Sequence, residues 1–144
     1  MIFDEHRDRL RQYLVVSEGL RLKPYTDTVG KITIGIGRNL SDVGITAIEA
    51  YDLLDHDIDR AIIALVGRYS WFAEEDPVRQ AAMVELEFNM GARSFGGFTN
   101  TLAAWRLKDY RAVAAGLRAS KWFRQVQKSR STRIIRMVET GEWP

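Results

Sequence analysis

The sequence predicts an α+β fold: a mostly helical chain of 144 residues with one small antiparallel sheet near its N-terminus. Three observations lead there. Apolar residues recur at helical spacing over most of the chain, as in Ile48, Tyr51, Leu54, Ile58, Ala61, Ile62 and Leu65. Strict alternation occurs between Lys31 and Gly37, where Ile32, Ile34 and Ile36 share one face and Lys31, Thr33 and Gly35 the other. Helix start and stop signals punctuate the rest.

Taken in order, the first helix is expected over 3–17, with Leu10, Tyr13 and Leu14 on one stripe and Gly19 as its stop. Asp27-Thr28-Val29-Gly30 reads as a turn leading into the alternating strand. The three isoleucines make an oily underside to the sheet. The opposite face carries the Thr33 hydroxyl between small residues, with room for a ligand against the backbone. Thr46-Ala47-Ile48-Glu49 is a capping box, in which hydroxyl and carboxylate satisfy unpaired N–H groups reciprocally. The helix it opens is expected over 46–66, long enough to join two lobes. Asp76-Pro77 starts a helix that is apolar on most sides and runs to Met90, closed by Gly91. Shorter helices follow over 99–106, 109–119 and 129–140, with a turn near 120–123. The chain therefore reads as one domain, 1–144. Its small sheet lobe covers about 19–45 and its helical lobe about 67–144, with the 3–17 helix packed on the helical lobe.

Composition narrows the function. Hydrophobic residues make up 46% and charged residues 28%, a globular profile. The absence of cysteine excludes disulfides, thiol nucleophiles and cysteine-ligated zinc. His6 and His56 are far apart with no ligand-like neighbours, so neither metal nor cofactor is expected. No apolar run approaches the ~18 residues of a membrane span, and the charged N-terminus has no secretory apolar region. Stable membrane insertion and a signal peptide are therefore not expected. The net charge is only +2, yet the stretch from Arg106 to Arg136 holds ten basic residues and one acid, Asp109. That stretch is either a solvated helical surface or the face for a polyanion.

Chemically useful groups concentrate between Ser17 and Leu40. Glu18 falls at the last turn of the first helix, where the helix end carries roughly half a negative charge. That field, with partial burial, would favour a protonated acid able to donate to a leaving oxygen. An ordinary exposed Glu is the plain alternative. Asp27 at the turn is equally readable as a local hydrogen-bonding residue. An acid and a carboxylate on opposite walls of a cleft, with Thr33 to orient water, are nevertheless the equipment of glycoside hydrolysis. Glu85 and Glu87 lie two apart on the central helix and so on different sides of it; one is expected to be exposed or paired with an arginine. Ser17 has no histidine beside it for a nucleophilic triad. Trp71, Trp105, Trp122 and Trp143 read as core more readily than as sugar platforms.

One family has these residues in this order. Glu18-Gly19-Leu20-Arg21-Leu22-Lys23, Tyr25-Thr26-Asp27-Thr28, Gly30 and Thr33-Ile34-Gly35-Ile36-Gly37 together resemble the active-site segment of the T-even phage lysozymes, glycoside hydrolase family twenty-four. The resemblance continues through Val78 to Ala82, Phe88 to Gly91, Gly97 to Leu102, Ser120-Lys121-Trp122 and Thr140 to Trp143. It implies a lysozyme-like fold and a muramidase that cleaves the β-1,4 bond between N-acetylmuramic acid and N-acetylglucosamine in bacterial peptidoglycan. Glu18 then corresponds to the general acid, and Asp27 and Thr33 to the residues that position and activate water with inversion. A carboxyl separation of about 6.5–9.5 Å rather than about 5–5.5 Å is expected for that outcome. Phe88 and Thr101 match sugar-contacting positions, and Arg130 matches an arginine that holds the catalytic Glu. The pattern breaks at Arg38 and Asn39, where the best-known member has His and Leu. Arg38 is expected to anchor either Asp27 or the helix after the sheet. A further family contact falls on Gly116 and loses its side chain.

The implied protein is a monomeric phage or prophage endolysin. It is expected in the host cytoplasm until holin-dependent release to the periplasm and wall, with no nucleic-acid partner. Two other readings compete. A lytic transglycosylase would need the Glu but no water-activating Asp. A nucleic-acid-binding domain would use the Arg106 to Arg136 cluster and leave Glu18, Asp27 and Thr33 unexplained.

Overall fold

A computed structural model describes residues 4–144. It divides into two compact units, one ending at Asp52 and one running Leu53–Pro144. The order of elements is α1 (Asp4–Glu18), β1 (Arg21–Thr26), β2 (Ile32–Gly35), β3 (Arg38–Asn39), α2 (Ala47–Arg68), a 3-10 turn (Ser70–Glu74), α3 (Pro77–Gly96), α4 (Thr99–Arg106), α5 (Tyr110–Arg118), α6 (Lys121–Gln125) and α7 (Lys128–Thr140). This is the expected α+β architecture. The expected start of the first helix at Phe3 lies outside the described residues.

In the first unit, α1 ends on Glu18, and the Gly19 N–H closes it on the Val15 carbonyl at 2.9 Å. The sheet is antiparallel in the order β1-β2-β3. Tyr25 pairs with Thr33 and Thr33 with Asn39, so Thr33 is central. The register of β1 shifts between Arg21 and Tyr25, the segment that contains Pro24. Proline has no N–H for the ladder and is tolerated in this outer strand. The expected strand to Gly37 is shorter than predicted: the chain leaves β2 at Gly35 and returns as β3 at Arg38.

The expected faces of the sheet are reversed in burial. Ile32 and Ile36 are exposed, whereas Thr33 is buried at 4% relative exposure. The cause is cross-strand packing. Thr33 sits between the half-buried Tyr25 and Asn39 on the same face of the sheet, and a side chain in the middle strand is covered from both sides.

The capping box forms as predicted. Glu49 N–H donates to Thr46 Oγ1 at 3.1 Å and Thr46 N–H to Glu49 Oε2 at 2.7 Å. From it α2 runs to Arg68, one residue past the expected stop at Gly67. Of the predicted apolar stripe only Ala61 and Leu65 are buried.

The second unit is a helical core. Asp76 caps α3 through the Arg79 N–H at 3.0 Å, with Pro77 at the first turn. The helix breaks where predicted, at Gly91, whose φ of 79° is left-handed, but a further helical stretch continues to Gly96. Asp109 and Ser120 cap α5 and α6 by accepting from the Ala112 and Phe123 N–H groups. Helix α4 has the predicted bounds, and α6 replaces a predicted turn. Met83, Leu86, Phe95, Trp105, Leu117, Ile134 and Ile135 form the centre of the core. Trp105 and Trp122 are core residues, while Trp143 is exposed.

Candidate active site

Glu18, Asp27, Thr33 and Arg38 all lie in the first unit. Glu18 is the last residue of α1 and is exposed, so the partial burial expected for it is not observed. Its carboxyl rests against the loop between β2 and β3. A Cβ placed on Gly37 would meet Glu18 Oε2 at 2.9 Å, Cδ at 3.1 Å and Cγ at 3.2 Å. Leu10, Leu14 and Ile36 line a groove with Arg7 and Arg11.

Asp27 occupies the other end of β2. Its Oδ1 accepts from the Lys31 N–H at 2.8 Å and the Val29 N–H at 3.0 Å. Its backbone N–H donates to the Lys31 carbonyl at 2.9 Å, which also accepts from Thr33 Oγ1 at 3.1 Å. A single residue, Lys31, thus links the turn carboxylate to the hydroxyl. Among the described residues no hydrogen bond reaches Asp27 Oδ2. The turn reading of Asp27 is thus observed through Oδ1. The two acids attach to opposite ends of β2, with Thr33 between them.

Of the two anchoring roles open to Arg38, the structure selects the helix after the sheet. Its guanidinium grips Glu49 with two bonds, 2.7 and 2.9 Å, and donates to the Gly44 carbonyl at 3.2 Å. The Arg38 bond, with help from the Thr46 N–H, holds the Glu49 carboxyl at about 2, against its ordinary 4.5. This is a two-pronged arginine–carboxylate pair, the geometry that planar guanidinium favours.

Phe88, Thr101 and Arg130 lie in the second unit. Phe88 and Arg130 line one apolar groove of 510 Å³, with Glu85, Val84 and Trp143. Arg130 Nε is 3.8 Å from Glu85 Oε2, and Arg133 donates to the same oxygen at 2.8 Å. Glu87 is buried and pairs with Arg68. The two central-helix glutamates are thus both held by arginines, which goes beyond the expectation that one would be. Thr101 is buried, not exposed. Its hydroxyl occupies the space left by the missing side chain of Gly116, where a Cβ would approach Oγ1 within 2.2 Å.

Sequence reasoning did not find the approach of Glu18 to Gly37, although a glycine in a strand-like segment is a signal of close backbone approach. Nor did it find Glu85 as the common partner of two arginines three apart, a spacing that puts both on one helix face. Among the described residues no group of acidic or histidine side chains has the arrangement of a metal site, and no helix is long and apolar enough to cross a membrane.

A mostly helical α+β chain with an acid at the end of its first helix and a second on the first turn of a three-stranded sheet has the architecture of the lysozyme-like proteins. The chain belongs to the phage lysozyme family, whose sequence model matches residues 16–136. It is similar to probable T4-type lysozyme 2 of Dictyostelium discoideum, 27% identical over 161 residues that cover 92% of this chain and 94% of that protein. It is also similar to the endolysin of Salmonella phage P22, 35% identical over 67% of this chain and 70% of that one. The pre-baseplate central spike protein Gp5 of Enterobacteria phage T4 is 30% identical over 86% of this chain, which spans 26% of the spike protein. The activity class implied by the family is glycoside hydrolysis, with peptidoglycan as the polymer on which lysozymes act.

Proposed function

We propose that the protein is an endolysin that hydrolyses the β-1,4 bond between N-acetylmuramic acid and N-acetylglucosamine with inversion. The observation that carries the reading is the attachment of Glu18 and Asp27 to opposite ends of β2 with Thr33 between them. In this mechanism Glu18 donates its proton to the glycosidic oxygen as the bond to C1 breaks. A water held by Asp27 Oδ2 and the Thr33 hydroxyl attacks C1 from the other side of the ring and yields its proton to Asp27. The sugar between them is oxocarbenium-like at the transition state, and the gap must admit a water as well as the ring. We expect a carboxyl separation of about 6.5–9.5 Å in the substrate complex for that reason.

Phe88 supplies an exposed ring for a sugar face. The chain acts as a monomer, accumulates in the host cytoplasm and reaches the wall through a holin lesion. Its bacteriolytic action ends the infection cycle of a phage or prophage.

The test is lysis of outer-membrane-permeabilised Gram-negative cells by wild type beside Glu18→Gln. The amide cannot donate the proton, so a loss of about 10²–10⁴-fold is expected. Equal lysis by both proteins refutes the assigned acid. Mass spectrometry of the digested wall separates hydrolysis, which leaves reducing ends, from transglycosylation, which leaves anhydromuramic ends.

A further inference from the structure

We propose that Gly37 is a positioning residue for Glu18: its missing side chain is the seat in which the acid's carboxyl rests. This rests on the assignment of Glu18 as the proton donor. Among the glycines of the first unit the geometry is specific to this one. Among the described residues seven glycines have left-handed φ, and in the first unit these are Gly19, Gly30, Gly35, Gly37 and Gly44. A Cβ on Gly19, Gly30, Gly35 or Gly44 would meet nothing within 4 Å. On Gly37 it would meet three consecutive atoms of the Glu18 side chain, the nearest at 2.9 Å. Backbone conformation alone therefore accounts for the other four, whereas Gly37 has a second reason to be glycine.

What must yield is also clear. The atoms in the way belong to the far end of an exposed glutamate and not to backbone. A side chain at position 37 would displace the carboxyl while leaving the hairpin in place. Proton donation depends on the acid standing within hydrogen-bond reach of the leaving oxygen. A displacement of about 1 Å at a reacting group costs on the order of 10²-fold in rate. The stability of the protein and its rate should accordingly respond differently to the same substitution.

Gly44 is the matched control, with φ of 66° against 69° at Gly37 and open space where its Cβ would go. Alanine at either position meets the same backbone strain. Asparagine, which tolerates the left-handed region better, gives a second pair should alanine fold poorly. The measurements are kcat and KM on soluble peptidoglycan fragments, with the thermal midpoint of each variant. We expect Gly37→Ala and Gly37→Asn to lose about 10²-fold in kcat with KM within about twofold of wild type. Gly44→Ala and Gly44→Asn should keep their kcat while losing as much thermal stability as their partners at position 37. Equal kcat at the two positions overturns the inference. So does a loss at position 37 that falls on KM, because Gly37 would then be a substrate contact. Glu18→Gln in the same assay separates the two levels of the argument. If it retains wild-type kcat, the acid itself is misassigned; if it is inactive while the position 37 variants match their controls, Gly37 alone is.

Discussion

Thr101 and Gly116 share one volume, and that sharing fixes what each can be. A Cβ at position 116 would come within 2.2 Å of the Thr101 hydroxyl, which is buried beside it. Glycine in the middle of α5 sacrifices roughly 1 kcal/mol of helix propensity relative to alanine. Overpacking a filled site costs about 1–3 kcal/mol. Steric conflict therefore offsets or outweighs propensity, and Gly116→Ala should destabilise the protein by up to about 2 kcal/mol in urea unfolding. In a Thr101→Ala background the obstacle is gone and the sign should reverse, with alanine at 116 stabilising by about 0.5–1 kcal/mol. The same cost in both backgrounds would show that the clash is not the cause. Position 116 was visible in the sequence as a break in the family pattern. Its contact with Thr101 was not, because it depends on how α4 and α5 pack, and helix packing is set by side chains far apart in the chain.

At the scale of elements, Arg38, one of the two residues at which the resemblance breaks, pairs with Glu49 and ties a short strand to the start of a long helix. Glu49 is bound three times, by two guanidinium nitrogens and the Thr46 N–H. All three bonds favour its charged form and hold its carboxyl at about 2. The folded value lies below the ordinary 4.5, so the stabilisation is full above 4.5 and disappears as pH falls through about 2. Thermal midpoints of wild type and Glu49→Gln should therefore differ most above pH 4.5 and converge near pH 2. A constant difference across that range would mean that the charge of Glu49 is irrelevant to the tie. Local chemistry of this kind is why most elements were legible. The Thr46 box and the Asp76-Pro77 start each involve neighbours in sequence, and they open helices close to where they were expected. Long-range pairing was less legible. Strand β3, of two residues, exists through its pairing with β2, and the buried face of the sheet was misread because Tyr25 and Asn39 cover Thr33 from other strands. The candidate site is local in another sense: Glu18, Asp27 and Thr33 fall within one short stretch, and their spacing is carried by the helix end, turn and strand between them.

For the molecule as a whole, the question is what the basic run from Arg106 to Arg136 does. Part of it is consumed internally: Arg118 pairs with Glu139, while Arg130 and Arg133 share Glu85. Arg106, Lys108, Arg111, Lys121, Arg124, Lys128 and Arg136 are exposed and make no ion pair among the described residues. Seven such cations in the second unit favour an anionic polymer, and peptidoglycan carries carboxylates on its peptide stems. Exposed charges act at a range set by salt, about 10 Å at 0.1 M and about 3 Å at 1 M. If these side chains hold the enzyme on the wall, salt should raise KM on permeabilised cells and leave kcat nearly unchanged, since the acids at the ends of β2 are not part of the run. Reversing Arg106, Lys108 and Arg124 to glutamate should raise KM at low salt and flatten its dependence on salt. The same triple variant should cleave short soluble glycan fragments at the wild-type rate, because a short fragment gains little from a dispersed surface charge. A steep salt dependence that survives the triple reversal would move the wall contact elsewhere. Tight, salt-sensitive DNA binding without lysis would instead assign the surface to nucleic acid, whose phosphates release counterions on binding in the same way.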